Sequence, residues 1–254
     1  MRRFAILFAF LISCATLSAQ YSNITPAPLR VQGGVCDGEQ CGVPVPFDAT
    51  QIFKLYIKGA DKVDAARLEA AVSAAGIKYE RVKRQPKSGF IFINIFDSME
   101  QEEGYAIWTA PEGVCITAKT AAGAYYALQS IRQLVESGEW QTGLIVDYPR
   151  FEYRGVLIDI SRHFRTVDFL KRQIDMMARL KMNRLHLHLT DAAGWRLEIE
   201  SYPRLTSYAA WRTPHDWKGW WYGDRQFVEE GTEGASGPNW MKRLWDMIPC
   251  FPVC

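Results

Sequence analysis

Two ionisable side chains, Arg162 and Asp191, follow two apolar stretches that the sequence predicts to be neighbouring strands. Ligand contacts in α/β barrels and doubly wound sheets lie at the carboxyl ends of parallel strands. A guanidinium and a carboxylate at equivalent strand ends therefore indicate one polar site that binds a ligand. A structural ion pair between the same two side chains explains the pattern equally well.

A tryptophan-rich stretch follows the second of these strands. The chain has nine Trp, and five of them lie between Trp195 and Trp221. Because aromatic rings stack on the apolar faces of sugars, this density indicates a carbohydrate site. Ordinary packing is the alternative, since large aromatic side chains usually serve burial.

The overall composition is that of an ordinary globular protein and favours no polyanionic partner. Apolar residues make up 48% of the chain and charged residues 23%, which is typical of a folded globular protein. The net charge of +2 gives no electrostatic case for nucleic acid or an anionic membrane as a partner. Histidine is scarce and none lies near the cysteines, so we predict neither a metal site nor a cofactor.

The two strands belong to a βαβ unit. Residues 155–160 form an apolar strand interrupted only by Asp159, residues 166–181 have helical periodicity, and residues 184–190 form the second strand. Thr166 is a suitable N-cap for the helix. A strand, a helix and a strand within about 35 residues predict a parallel pair with the helix as its connection.

The region before Pro149 has a different pattern of elements. The expected elements are a strand at 51–58, a helix at 64–75, a strand at 89–96, a hairpin of 105–109 with 114–118, and a helix at 121–136. The order β-α-β-β-β-α predicts a separate α+β domain.

Five segments of the second region carry a family pattern. They are Arg154–Phe164, Asn183–Asp191, Gly194–Arg196, Tyr202–Thr206 and Ala210–Arg212. Together they resemble the opening of the catalytic barrel in family 20 glycoside hydrolases. The first region is similar to the accessory domain of that family at Asn23–Pro26, at Glu103–Tyr105 and in the helix that starts near Ala122. The resemblance implies an α+β accessory domain followed by the opening βαβ part of a TIM (β/α)8 barrel, with the barrel incomplete in this chain.

The resemblance also implies an activity. Members of the family are β-N-acetylhexosaminidases, which remove terminal N-acetylhexosamine from glycans or chitooligosaccharides by a substrate-assisted retaining mechanism. Arg162 matches the arginine that hydrogen-bonds the outer hydroxyls of the terminal sugar, a task that suits the several donors of a planar guanidinium. Asp191 matches the aspartate that supports a histidine from a later strand, and that histidine contacts the catalytic acid. A carbohydrate with terminal N-acetylglucosamine or N-acetylgalactosamine is therefore the expected partner.

The catalytic pair of the family is an adjacent Asp-Glu dipeptide, and this sequence contains none. In the family, the Glu protonates the leaving oxygen and the Asp orients the acetamido group of the substrate. We therefore assign no catalytic residue and expect the chain as it stands to be inactive. A dead fragment or a weak sugar-binding module is the alternative function, whereas no feature supports a protein-binding module.

His186 and His188 alternate with leucines along the second predicted strand. Asp191 has the parity of the leucines, so the alternation alone does not decide which face of the strand carries the site. We predict that both histidines pack in the core.

The first 19 residues have the layout of a secretory signal peptide. Arg2 and Arg3 precede an apolar run that is too short to span a bilayer, and small residues end at Ala19. Cleavage there gives a soluble protein in the periplasm or outside the cell, whereas lipidation of Cys14 gives an outer-membrane lipoprotein. In either compartment Cys36 and Cys41 can close a small disulfide loop, although unpaired cysteines fit the spacing as well.

These patterns divide the chain into four parts. Residues 1–19 are the predicted signal peptide, and residues 20–147 are the accessory domain. Residues 148–235 are the first part of the barrel. The resemblance to the family ends near Ala235, so we expect residues 236–254 to be a non-native tail from a truncated or shifted reading frame.

Overall fold

The computed structural model describes residues 23–37, 40–97, 99–162, 164–191 and 194–210. The predicted signal peptide with Cys14 and the predicted tail lie outside these residues. The described chain forms two compact units. The first comprises the residues up to Glu152 and the short segment 179–181, and the second comprises residues 153–178 and those from Met182 onward.

A mixed sheet is the framework of the first unit. The strands of this unit are β1 (Arg30–Gly33), β2 (Cys36–Asp37), β3 (Gln40–Cys41), β4 (Ile52–Lys58), β5 (Lys78–Arg81), β6 (Phe90–Ile95), β7 (Tyr105–Ala110), β8 (Gly113–Ala118) and β9 (Gly143–Asp147). Strands β2 and β3 pair separately, and the other seven lie in the order β1-β9-β7-β8-β6-β4-β5. The β5-β4-β6-β8 neighbours are parallel, whereas β8-β7-β9-β1 are antiparallel.

Two helices, α1 (Lys62–Ala74) and α2 (Ala121–Ser137), complete this unit. Thr120 caps α2 by accepting a hydrogen bond from the Gly123 N–H at 3.3 Å, and Gly138 ends it with a φ of 70°. Apolar residues of the sheet and helices form one buried core, whose largest aliphatic members include Leu55, Ile91, Ile93, Ile107, Ile116, Leu128, Ile131 and Leu134. Burial of this apolar surface is the main stabilising term of the unit.

A polar cluster lies inside the same unit. The Lys181 Nζ donates to the Asp147 carboxylate at 2.8 Å and to the Tyr105 hydroxyl at 2.7 Å. That hydroxyl donates to Asp147 at 2.8 Å and lies 2.7 Å from the Ser130 hydroxyl. Burial, together with the nearby Asp147 charge, raises the pKa of Tyr105 well above its ordinary value, so the phenol stays protonated.

The sequence predicted part of this unit correctly. Strands β4 and β6, the β7–β8 hairpin and both helices are confirmed within one or two residues. Strands β1, β5 and β9 were not predicted, so the sheet has more strands than the predicted α+β domain. The β5 strand (Lys78–Arg81) is four residues long and mostly exposed, and its polar sequence lacks the apolar alternation that marks a strand.

The second unit contains the predicted βαβ arrangement. It consists of β10 (Gly155–Asp159), α3 (Val167–Arg179), β11 (Arg184–His188) and the short helix α4 (Arg204–Ser207). Strands β10 and β11 are parallel, with Gly155 opposite Arg184 and Asp159 opposite His188. The fully buried Ile160 and Leu170 form the centre of its core, and Ile158 and Leu187 pack against them. The sheet therefore turns one face toward α3.

The cysteines and helices that the structure describes relate to the predicted disulfide loop and to membrane spans. The backbone pairs Cys36 with Cys41 across β2 and β3, while the disulfide between them stays a prediction. Cys115 is a free thiol, and burial raises its pKa above the ordinary value. In the described part of the chain, no helix has both the length and the apolar character needed to cross a membrane.

Candidate functional site

The ends of β10 and β11 bring the two predicted site residues together. Asp159 and His188 are the last paired residues of the two strands, and Arg162 and Asp191 each follow by three positions. The Arg162 Nη1 donates a hydrogen bond to the Asp191 Oδ2. The two residues that the sequence placed at equivalent strand ends are thus in direct contact.

A third residue, Asp159, fixes the arginine from its own strand. Its Oδ1 accepts hydrogen bonds from the N–H groups of Ser161 and Arg162, both at 3.0 Å, and its Oδ2 accepts from the Arg162 Nε. Burial raises the pKa of Asp159, but the hydrogen bonds and the charge of Arg162 outweigh it, so the pKa lies below the ordinary value. Sequence reasoning missed this role, although an aspartate that interrupts an apolar strand was the available signal.

The guanidinium of Arg162 keeps one side open. Hydrogen bonding with Asp159, helped by the charge of Asp191, raises the pKa of Arg162, which therefore stays charged. The side chain is 49% exposed. Nε and Nη1 contact the two carboxylates, and Nη2 has no partner within the residues that the structure describes. A donor pair on a fixed cation thus faces outward, where a ligand oxygen can accept from it.

The histidines do not pack in the core, so that prediction is wrong. Strand β11 turns Leu185 and Leu187 to the same side, and Leu187 packs against the α3 core. Alternation places His186 and His188 on the opposite face, where His186 is exposed. His188 points its Nε2 at the Asp191 Oδ2 at 2.9 Å.

The parity of Asp191 has a simple explanation. Strand β11 ends at His188, two residues earlier than the prediction, so residues 189–191 do not continue its alternation. The contact with His188 places the Asp191 carboxylate on the face of that histidine although Asp191 has leucine parity. The histidine that the resemblance places beside Asp191 comes from a later strand, and its pairing with Asp191 stays a prediction.

Other residues named for this site fall partly outside the described ranges. Trp195 is half-buried and donates its indole N–H to the Leu197 carbonyl, whereas His163 and the tryptophans from Trp211 to Trp221 lie outside the described residues. Within the described ranges, no cluster of three or more histidine, cysteine or acidic side chains has the arrangement of a metal site. The described site therefore consists of Arg162, its two carboxylates and His188.

Two models of one known family match this chain. The model of "glycosyl hydrolase family 20, domain 2" matches residues 21–148, and that of the "glycosyl hydrolase family 20, catalytic domain" matches residues 151–231. The chain belongs to glycosyl hydrolase family 20. Its relatives in that family have an accessory domain and a catalytic TIM barrel, which is the architecture that the resemblance implied.

Individual family 20 relatives are similar over half or more of this chain. The N,N'-diacetylchitobiase of Vibrio harveyi is 35% identical over 74% of this chain and 21% of its own length. A β-hexosaminidase of Porphyromonas gingivalis is 38% identical over 53% of this chain and 19% of its own. This chain thus spans about a fifth of the length of these curated relatives.

Solved family 20 structures have the same fold. The N-acetyl-β-hexosaminidase of Streptomyces plicatus in complex with Thio-NAglucal is 30% identical and covers 92% of this chain and 45% of its own, with a TM-score of 0.66. The β-N-acetylhexosaminidase of Bacteroides fragilis is 26% identical and covers 91% of this chain and 43% of its own, with a TM-score of 0.69. A mutant Streptomyces plicatus enzyme was solved with the product GlcNAc (N-acetylglucosamine).

Proposed function

We propose that this chain forms the sugar-holding side of a β-N-acetylhexosaminidase site, with Arg162 binding the hydroxyls of a terminal N-acetylhexosamine. One observation carries the proposal. At the ends of two parallel strands, Asp159 and Asp191 hold the guanidinium from two sides, and Nη2 has no partner among the residues that the structure describes. The GlcNAc bound to a Streptomyces plicatus relative and the chitobiase among the curated relatives support this class of substrate.

The charges of the site favour a neutral ligand over an anion. An exposed arginine by itself attracts phosphates and carboxylates, because a guanidinium pairs with both oxygens of such groups. Here Asp159 and Asp191 already pair with Arg162, so an incoming anion meets two like charges. Sugar hydroxyls carry no charge and both donate and accept hydrogen bonds, so they can use the arginine donors and the carboxylate acceptors together.

In the proposed reaction, the acetamido group of the substrate is the nucleophile, which is the substrate-assisted retaining route. Asp191 acts at a distance from the bond that breaks, by orienting a histidine that contacts the catalytic acid. His188 already shares the Asp191 Oδ2 with Arg162, so the same carboxylate couples the sugar-binding cation to an imidazole. Asp191 therefore serves as a support for both groups.

A non-catalytic sugar-binding function is the second candidate. The 254 residues contain no Asp-Glu dipeptide, which is the catalytic pair that the family resemblance requires. In this second function, the chain binds the sugar without turnover. We also propose export, on the basis of the apolar run between Arg3 and Ala19.

Two measurements on the full chain separate these functions. Calorimetric titration with GlcNAc should show binding that is lost in Arg162→Ala and retained in Arg172→Met, which removes an exposed guanidinium from α3. A chromogenic N-acetylglucosaminide should give no turnover above the blank. Turnover that disappears in Arg162→Ala would contradict the non-catalytic function, and absence of sugar binding by the folded chain would contradict both.

A further inference from the structure

A second arginine of the same unit, Arg196, is buried beneath the site. Only 2% of its surface is exposed. Its Nε donates to the Ile160 carbonyl at 3.0 Å, its Nη1 to the Ala210 carbonyl at 2.7 Å and its Nη2 to the Ser161 carbonyl at 3.4 Å. The guanidinium also lies over the Phe164 ring, 5.3 Å from its centroid. A buried charge is tolerated only where such contacts replace its hydration.

The main chain around Arg196 contacts the end of the other strand. The Arg196 N–H donates to the Leu189 carbonyl at 2.9 Å, just beyond the end of β11. Leu189 precedes Asp191 by two residues, and Ser161 directly precedes Arg162. Arg196 thus binds the ends of β10 and β11 at once, through its side chain on one and its backbone on the other.

Gly194 brings this segment close enough to make those contacts. The Ser161 hydroxyl donates to the Gly194 carbonyl at 3.0 Å. Gly194 has a φ of 79°, and a Cβ on it would lie 2.5 Å from the Ser161 carbonyl oxygen. A side chain at this position would therefore push the segment away from Ser161.

We propose that Arg196 is a positioning residue that sets the separation and orientation of Arg162 and Asp191. Two of the carbonyls that it holds, those of Ile160 and Ser161, belong to the two residues before Arg162, so their displacement moves the guanidinium relative to its two carboxylates. Binding sites depend on such supporting contacts to within about half an ångström. The role toward a sugar rests on the proposed function, whereas the role toward Arg162 does not.

Arg196→Lys is the informative substitution. Lysine retains the charge, but its single ammonium cannot span carbonyls of Ile160, Ser161 and Ala210 as a planar guanidinium does. The 15N-labelled full chain gives an Nε–H resonance for Arg162, assigned by its disappearance in Arg162→Lys. We expect this resonance to shift or broaden in Arg196→Lys, because the hydrogen bond from Nε to Asp159 changes.

Sugar binding supplies a second measurement. Arg196→Lys should weaken GlcNAc binding about tenfold, as expected for the loss of a charged hydrogen-bond contact. In a chain that already carries Arg162→Lys, the Arg196→Lys substitution should weaken binding less than about twofold. Both substitutions then disturb the same Arg162 contacts, so their effects do not add. The matched control, Arg172→Met on the exposed face of α3, should change neither measurement.

The outcomes that would overturn the proposal are distinct. A folded Arg196→Lys variant with an unmoved Arg162 resonance shows that Arg196 has only a structural role. If that variant fails to unfold cooperatively, Ser161→Ala decides, since it removes the hydrogen bond from the Ser161 hydroxyl to the Gly194 carbonyl and must also move the resonance. If the wild-type chain binds no GlcNAc, the proposed function fails, and the resonance alone decides the role of Arg196.

Discussion

Arg162 pairs with Asp159, the last residue of β10, and with Asp191, which follows β11. An arginine side chain that is already ordered loses less conformational freedom when a ligand binds. The two carboxylates have different surroundings, because Asp159 accepts two backbone N–H groups while Asp191 shares an oxygen with His188. We therefore expect Asp159 to fix the orientation of the guanidinium and Asp191 to connect it to neighbouring groups.

Asp159→Asn tests the first of these roles. The amide oxygen can still accept the two backbone N–H groups, but the amide NH2 then faces the Arg162 Nε, donor against donor. We expect GlcNAc affinity to fall about fivefold with the fold retained, since a charged hydrogen bond is lost. Asp175→Asn on the exposed face of α3 makes the same change of charge and should leave the calorimetric affinity unchanged. Equal affinities for the two variants would refute an orienting role.

The lowered pKa of Asp159 predicts an acid dependence of stability. A carboxyl group with a lower pKa in the folded chain contributes stability that is present above the unfolded pKa of about 4. That contribution is lost as the pH falls through the lower folded pKa. Urea unfolding of wild type and Asp159→Asn should therefore differ at pH 6 (wild type more stable), with the difference disappearing toward about pH 2. A difference that stays constant over this range would contradict the assignment.

Lys181 is a buried cation in the first unit, where it pairs with Asp147. Its substitution should destabilise the fold strongly. Lys181→Met leaves the Asp147 carboxylate buried without its ion pair, which we expect to lower the free energy of unfolding by about 3–5 kcal/mol. The φ of 58° at this position is equally unfavourable for both side chains. Urea denaturation measures the loss.

A surface lysine provides the control for that measurement. Lys119 also pairs with two carboxylates, those of Asp97 and Glu102, but both are mostly exposed. Lys119→Met should therefore change stability little, since solvent screens such pairs. The double variant Lys181→Met/Asp147→Asn should be less destabilised than the sum of its single changes. Similar losses for Lys181→Met and Lys119→Met would show that burial of the pair is unimportant.

At the scale of elements, predictability followed the strength of the local pattern. The α3 helix and the strands β10 and β11 have clear apolar periodicity, and all three were predicted with their order and parallel pairing. Strand β5 and strand β1 are short and polar, so their pairing depends on neighbours that lie far away in sequence.

The candidate site was predictable in part for a related reason. The contact between Arg162 and Asp191 could be predicted because both follow the carboxyl ends of neighbouring strands. Their roles toward a ligand came only from the family resemblance. The face of β11 could not be assigned, because leucines and histidines alternate and only the packing of α3 decides between them. The contacts of Arg196 could not be predicted from the sequence, since its partners are backbone carbonyls that any sequence supplies.

The packing of α3 against the sheet should be essential to the second unit. Leu170 is fully buried beside Ile160, and Leu170→Ala should lower the free energy of unfolding by about 2–5 kcal/mol through the cavity that it leaves. Met176 lies on the same helix but is 51% exposed, so Met176→Ala should have a much smaller effect. Thermal unfolding followed by circular dichroism compares the two, and equal losses would show that α3 does not bury Leu170 in solution.

The molecule as a whole has properties that fit a neutral ligand. Its net charge is +2, which provides no long-range attraction for a polyanion, and the strand-end site pairs its exposed arginine with two acids. It belongs to glycosyl hydrolase family 20 and spans about a fifth of its curated relatives. These properties are compatible with the proposed binding of a terminal sugar by Arg162.

Titration of the 15N-labelled chain, with the Arg162 Nε–H resonance as the probe, tests that function most directly. Added GlcNAc should move this resonance in a saturable way, whereas inorganic phosphate at the same ionic strength should leave it in place. The shift caused by GlcNAc should be lost in Asp191→Asn and retained in the surface control Asp175→Asn. A resonance that responds to phosphate but not to GlcNAc would contradict the account, because Arg162 would then be an anion site.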